Sequence, residues 1–266
     1  MKGRVLILAG SDSGGGAGVQ ADLKAVTQLG GHGFCALTAL TVQNSLGVFD
    51  VHPVPLGFIA AQARAVLDDL GADIIKTGML GDVATAELCA EIISDSHLPA
   101  VIDPVMVAKG GAPLLDPSAI ASVRELLIPK AALLTPNAPE ASVLTGLAIE
   151  TLDDQRRAGE ALLRLGAQAV LMKGGHLPGE ALVDLLMTQA GETRFEGRRV
   201  ATRHTHGTGC TLASAIAAGL AQGQDLTDAV ARARRYLDAA LRAAPGFGQG
   251  HGPLYHGVRP PNEQGW

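Results

Sequence analysis

An α/β fold, a mostly parallel sheet covered by helices on both faces, follows from three features of the 266-residue sequence. Short apolar runs alternate with segments of helical spacing along the chain, the pattern of strand–helix units in a parallel sheet. The runs end on glycines and polar groups while their interiors are apolar, as expected where ligands bind beyond the carboxyl ends of strands. Apolar residues make up 47% of the chain, with 34 glycines and 3% aromatics, a composition suited to close helix–sheet packing. No internal repeat or low-complexity linker divides the chain, so residues 1–266 read as one domain, with about 257–266 as a mobile tail.

Arg4–Ala9 is an apolar run ended by Gly10 and reads as a buried first strand. Gly10–Gly18 is a flexible loop, and Val19–Leu29 then carries helical spacing. Phe34–Val42 is apolar and β-branched, a second strand; the turn residues of Asn44–His52 suggest a small hairpin or flap. Phe58–Leu70 places Ile59, Ala63, Val66 and Leu70 on one helical face. Strands follow at Asp73–Thr77, Ala100–Asp103, Ala131–Thr135 and Ala169–Met172, with helices at Ala84–Ser94, Ser118–Leu127, Ala138–Leu144 and Leu152–Leu165 between them. Leu182–Met187 and Glu192–Val200 flank a turn and form an antiparallel hairpin, and Leu226–Ala243 is a long amphipathic helix.

The chain is organised around His204-Thr205-His206-Gly207-Thr208-Gly209-Cys210, followed by the apolar helical run Thr211–Ala221. Glycines let the backbone turn tightly at the head of that helix, where unpaired N–H groups and the helix dipole attract an anion. Cys210 falls in the first turn, where the same field favours a thiolate; a small packing residue is the other reading. His204-x-His206-x₃-Cys210 lacks the pairing of a structural zinc site. No Walker A loop is present. Gly16–Ala21 matches G-x-G-x-x-A, but the second strand ends without the carboxylate that a dinucleotide ribose needs.

A net charge of −5 without a compensating basic patch argues against a nucleic-acid partner. Cys35, Cys89 and Cys210 show neither metal spacing nor a disulfide framework, which suits a reducing cytosol. Val5–Ala9 is short for a signal core, and nothing approaches the ~18 apolar residues of a membrane span. A cytoplasmic protein without a membrane partner is expected.

Several motifs now form a series. Ala9-Gly10-Ser11-Asp12, Gly15–Lys24, Thr38-Ala39-Leu40, Gln43-Asn44, Lys76–Leu80, Val105–Lys109, Thr135-Pro136-Asn137, Pro139-Glu140, Leu171–His176, His206–Cys210 and Gly250-His251-Gly252 appear in order. Together they resemble the hydroxymethylpyrimidine/phosphomethylpyrimidine kinases, from residue 5 to about residue 256. The resemblance implies a ribokinase-like three-layer α/β/α sandwich and a homodimer. It further implies ATP- and Mg²⁺-dependent phosphorylation of 4-amino-5-hydroxymethyl-2-methylpyrimidine, then of its monophosphate, toward thiamine.

By that resemblance, Gly207, Thr208 and Gly209 hold the transferring phosphoryl group on backbone N–H donors, and Cys210 accepts the substrate's proton. Gln43 hydrogen-bonds the aminopyrimidine, since an amide both donates and accepts. Gly10, Asp22, Met79 and Val105 form the pocket wall, although Met79 also suits loop core and Asp22 an ordinary first helical turn. Asp103, Asn137 and Glu140 serve the Mg²⁺–ATP centre, and Asn137 with Glu140 also reads as a plain helix-cap pair. Lys173 neutralises ATP phosphates or, alternatively, snorkels from a strand end. Ser13-Gly14 and Thr41-Val42 depart from the family pattern near the base pocket and so bear on substrate preference. Pyridoxal kinases share the fold and act on a similar ring alcohol; a non-catalytic pyrimidine-binding protein would need no phosphate apparatus.

Overall fold

Val5 to Ala9 have no exposed surface, and such a run is stable only in a strand covered on both faces. The computed structural model describes residues 3–108, 110–177 and 179–258. Lys109 of the expected Val105–Lys109 motif and tail residues 259–266 lie outside the described residues. In chain order the elements are β1 (Arg4–Asp12), α1 (Gly18–Gln28), β2 (His32–Asn44), β3 (Gly47–Pro53), α2 (Leu56–Ala65), β4 (Ile74–Thr77), α3 (Val83–Ser96), β5 (Ala100–Ile102), α4 (Ala119–Ser122), β6 (Ala131–Leu134), α5 (Ala138–Thr145), α6 (Leu152–Arg164), β7 (Ala169–Met172), β8 (Ala181–Thr188), β9 (Gly191–Arg198), α7 (Thr208–Ala221) and α8 (Leu226–Arg242).

Among the described residues the strands form one nine-stranded sheet in the order β3-β2-β1-β4-β5-β6-β7-β8-β9. β2, β1, β4, β5, β6 and β7 run parallel. The edges are antiparallel: β3 folds back on β2, and β8 and β9 extend the other side as a hairpin. The Asn44–His52 segment is thus a hairpin turn and edge strand, with Gln43 opposite Val48.

Successive residues of β1 point to opposite faces, and two cores result. Leu6 and Leu8 join Ile75, Ile102, Cys89, Leu127, Ala141 and Leu162 on the face covered by α2 to α6. Val5 and Ile7 join Val26, Leu133, Leu171, Ile216 and Tyr236 on the face covered by α1, α7 and α8. This is the expected α/β/α sandwich. Two helices differ from their expected spans, because α2 and α4 widen into π turns at Val66–Leu70 and Val123–Leu127.

The strand order places the site. β1 leads to β2 on one side and its other neighbour β4 leads to β5 on the opposite side, so the connections leaving β1 and β4 diverge. A crevice opens where they part, beyond the carboxyl ends of the strands.

Candidate active site

The head of α7 is shaped by a glycine that nothing else replaces. Gly207 has φ +85°, and a Cβ there would lie 1.8 Å from the Gly16 carbonyl oxygen. The loop after β1 and the turn before α7 therefore touch backbone to backbone. α7 starts at Thr208, so the N–H groups of Gly209 and Cys210 have no carbonyl one turn back to bond. The Thr208 N–H reaches only the Thr205 carbonyl, at 3.4 Å. Expected donors Gly207, Thr208 and Gly209 thus lie together at a positive helix end.

A charged cluster borders this turn. A Cβ on Gly209 would stand 3.4 Å from Lys173 Nζ and 3.5 Å from Asp103 Oδ2. Lys173 donates to Asp103 Oδ1 at 3.0 Å and lies 3.7 Å from Glu140 Oε2. The Thr135 hydroxyl also donates to Asp103 Oδ1 at 3.0 Å, which leaves Oδ2 buried without a hydrogen-bond partner. Burial would lower the Lys173 pKa, but Asp103 and Glu140 raise it on balance, so the ammonium stays charged. Burial raises the Glu140 pKa, with Lys173 pulling the other way.

Asn137 and Glu140 form a capping box. Asn137 Oδ1 accepts the Glu140 N–H at 2.9 Å, and Glu140 Oε2 accepts the Asn137 N–H at 2.7 Å. That helix-cap reading is observed, and it also fixes the Glu140 carboxylate beside Lys173. Among the described residues no three His, Cys, Asp or Glu side chains gather as a metal site. Asp103 and Glu140 contribute hard oxygens, and the orphaned Asp103 oxygen suits a cation that keeps water and phosphate as its other ligands.

The other wall begins at Gly10, where a Cβ would come 3.1 Å from Met79 Sδ; the glycine makes room for the buried thioether. Thr38 Oγ1 donates to the Met79 carbonyl at 2.7 Å, fixing the loop after β4. Val105 is half-buried and, with Thr77, Gly78 and Asp103, lines a small cavity at the same edge. Gln43 lies 3.3 Å from His206 Nε2, and its amide oxygen is 3.1 Å from Thr41 Oγ1. His206 Nε2 is also 2.8 Å from Asp12 Oδ2. That same oxygen accepts the N–H groups of Gly16 and Ala17, and Asp12 Oδ1 accepts that of Gly14. Burial would raise the Asp12 pKa, but His206 and the N–H groups of Ala17 and Gly14 lower it on balance.

Two expectations are corrected. Asp22 is fully buried, with Lys76 donating to both of its oxygens at 2.9 Å and Ser214 donating to Oδ1 at 2.7 Å. It lies beneath the pocket and presents no face to a ligand. Cys210 rests as a thiol, with the thiolate its minor form: burial pushes the thiol up to about 12, outweighing Lys76. A thiolate at a helix terminus still carries a desolvation cost, and at this depth that cost decides.

Lys76, Thr135 and Ser214 escaped the sequence reading as site residues. A usable signal existed for one of them. Lys76 interrupts an otherwise apolar strand, and a lysine with no exposed surface requires an anionic partner.

The family model described as phosphomethylpyrimidine kinase matches residues 12–255. The thiamine biosynthesis bifunctional protein ThiED of Geobacter sulfurreducens is 52% identical over 96% of this chain, which spans about half (52%) of that protein. The hydroxymethylpyrimidine/phosphomethylpyrimidine kinase of Streptomyces coelicolor is 49% identical over 95% of this chain and 94% of its own length. The ADP complex of Bacillus subtilis pyridoxal kinase superimposes with a TM-score of 0.90 at 38% identity, covering 96% of this chain and 98% of that one. With the glycine-headed α7, the Asp103–Lys173 pair and the ribokinase-like sandwich in place, the chain belongs to the phosphomethylpyrimidine kinase family.

Proposed function

We propose that this protein transfers the γ-phosphoryl group of ATP to the hydroxymethyl oxygen of 4-amino-5-hydroxymethyl-2-methylpyrimidine, and then to the resulting monophosphate, yielding the pyrophosphate for thiamine synthesis. The observation that carries this reading is the convergence of Lys173 and Asp103 on the open N-terminal turn of α7. Phosphoryl transfer demands positioning and charge stabilisation more than covalent chemistry. Backbone donors at Gly207, Thr208 and Gly209 receive the equatorial phosphoryl oxygens at the positive end of α7. Lys173 neutralises the nucleotide phosphates, and Asn137 orders the turn beside them.

Asp103 and Glu140 would hold Mg²⁺, which when bound with the nucleotide adds positive charge at the phosphate oxygens. Gln43 orients the aminopyrimidine, with Gly10, Met79 and Val105 as the wall. The alcohol oxygen bonds to the γ-phosphorus as the bond to the ADP oxygen breaks, and its proton passes to the thiolate form of Cys210, giving the neutral thiol. In this reading the protein works in the cytoplasm as a homodimer. Three free cysteines accord with a reducing compartment, and among the described residues no helix is long and apolar enough to cross a membrane. Exposed Val42, Phe49 and Phe58 near the β3 edge offer an apolar face for the second subunit.

A second reading, phosphorylation of pyridoxal, is favoured by the similarity to a pyridoxal kinase. A timed assay with Mg²⁺–ATP and each of hydroxymethylpyrimidine, its monophosphate and pyridoxal separates the two. Turnover of both pyrimidines is expected. Turnover of pyridoxal alone overturns the pyrimidine assignment, and binding without ATP consumption overturns the kinase reading.

A further inference from the structure

Beneath the turn that carries Cys210, α1 and α7 meet in register. At the upper rung Gly18, the first residue of α1, stands beside Cys210 in the first turn of α7. One turn further along each helix, at i+4 in both, Ser214 donates to Asp22 at 2.7 Å. Lys76 of β4 closes the floor with bonds to both Asp22 oxygens, and neither side chain has any exposed surface. A Cβ on Gly78 would lie 3.1 Å from the Lys76 nitrogen, so the loop after β4 seals the ammonium directly. A buried ion pair is a costly way to join a strand to a helix, and apolar side chains of similar volume often serve as well. Its place under a proton acceptor gives it another use.

We propose that Lys76 is a positioning residue for phosphoryl transfer, an ammonium held under Cys210 by Asp22 and Ser214 so that the sulfur can carry negative charge. The inference rests on the reading of Cys210 as the proton acceptor. When the alcohol oxygen bonds to phosphorus and ADP leaves, the proton goes to the thiolate, and the neutral thiol returns it to water before the next turnover. Every charge near the sulfur has a defined sense. Burial pushes the thiol up; Lys76 is the largest influence pulling it down, while Asp22 and Asp103 push it further up. Lys173 also faces the sulfur from the end of β7. Lys76 keeps its own proton, since Asp22, Cys210 and Asp103 outweigh its desolvation.

The test is the double variant Lys76→Met/Asp22→Asn, which removes both charges and leaves no unpaired ion. Alkylation of Cys210 by iodoacetamide is followed against pH by mass spectrometry of its peptide, together with melting, kcat and KM for the pyrimidine. The alkylation curve is expected to move up by about one pH unit, and kcat to fall about tenfold with KM unchanged. An unmoved curve in the folded variant overturns the inference and leaves the role of Cys210 to its own alanine variant. A moved curve with unchanged kcat overturns both. Should the double variant not fold, Lys76→Met gives the same readouts, because the Asp22 carboxyl, already raised by burial, takes up a proton in place of its partner.

Discussion

Cys210 is pulled in two directions, by a buried setting that favours the thiol and by Lys76, which favours the thiolate. With the thiol pushed up to about 12, burial wins, and the thiolate is a minor species at neutral pH. A proton acceptor must be deprotonated, so the active fraction grows about tenfold for each pH unit below the thiol pKa. Initial rates at saturating substrates should therefore rise with pH across the neutral and mildly alkaline range, with a logarithmic slope near one. Cys210→Ala should lose roughly 10²–10⁴-fold in kcat while KM for the pyrimidine holds, the usual worth of a positioned base. A flat pH profile together with an active alanine variant would assign the proton to another acceptor.

At the scale of elements, α5 joins stability to the site. Its capping box sets the first turn and holds Glu140 beside Lys173. Asn137→Ala should cost about 1 kcal/mol in thermal or urea unfolding. Asn137→Ser keeps an oxygen at the cap and should restore melting, while a raised KM for ATP in the serine variant would show the amide at work on the nucleotide. This cap was legible because Asn137 and Glu140 stand three apart before an apolar run. The strand–helix alternation and the β8–β9 hairpin were legible for the same local reason. Contacts made across the chain were not. Lys76 and Asp22 are 54 residues apart, and each sits in an element whose pattern marks only an apolar face. The conformation of Gly207 follows from its contact with Gly16, which the sequence of either loop leaves unspecified.

At the scale of the molecule, residues after α8 return to tie distant parts together. His251 donates its N–H to the Ser45 carbonyl in the β2–β3 turn at 2.8 Å, and His206 donates its own to the Gly252 carbonyl at 3.2 Å. Tyr236 of α8 donates to the His256 carbonyl at 2.8 Å, and the His256 ring meets the Thr211 hydroxyl of α7 at 2.9 Å. The ring is buried, and its desolvation, with Lys24 nearby, lowers its pKa from 6.5 to about 4. In the unfolded chain the imidazole takes its proton near 6.5; in the folded one it does so only near 4. Between these values the unfolded state binds more protons, so stability is complete above the upper value and declines as pH falls toward the lower one. The loss amounts to roughly 3 kcal/mol at most. Urea unfolding of the wild type and of His256→Gln, compared across this range, measures it. The glutamine variant does not titrate, so its stability should fall less steeply, by the share that His256 contributes. Parallel decline of the two curves would place the acid sensitivity in the carboxylates and leave this segment's hold on α7 and α8 independent of pH.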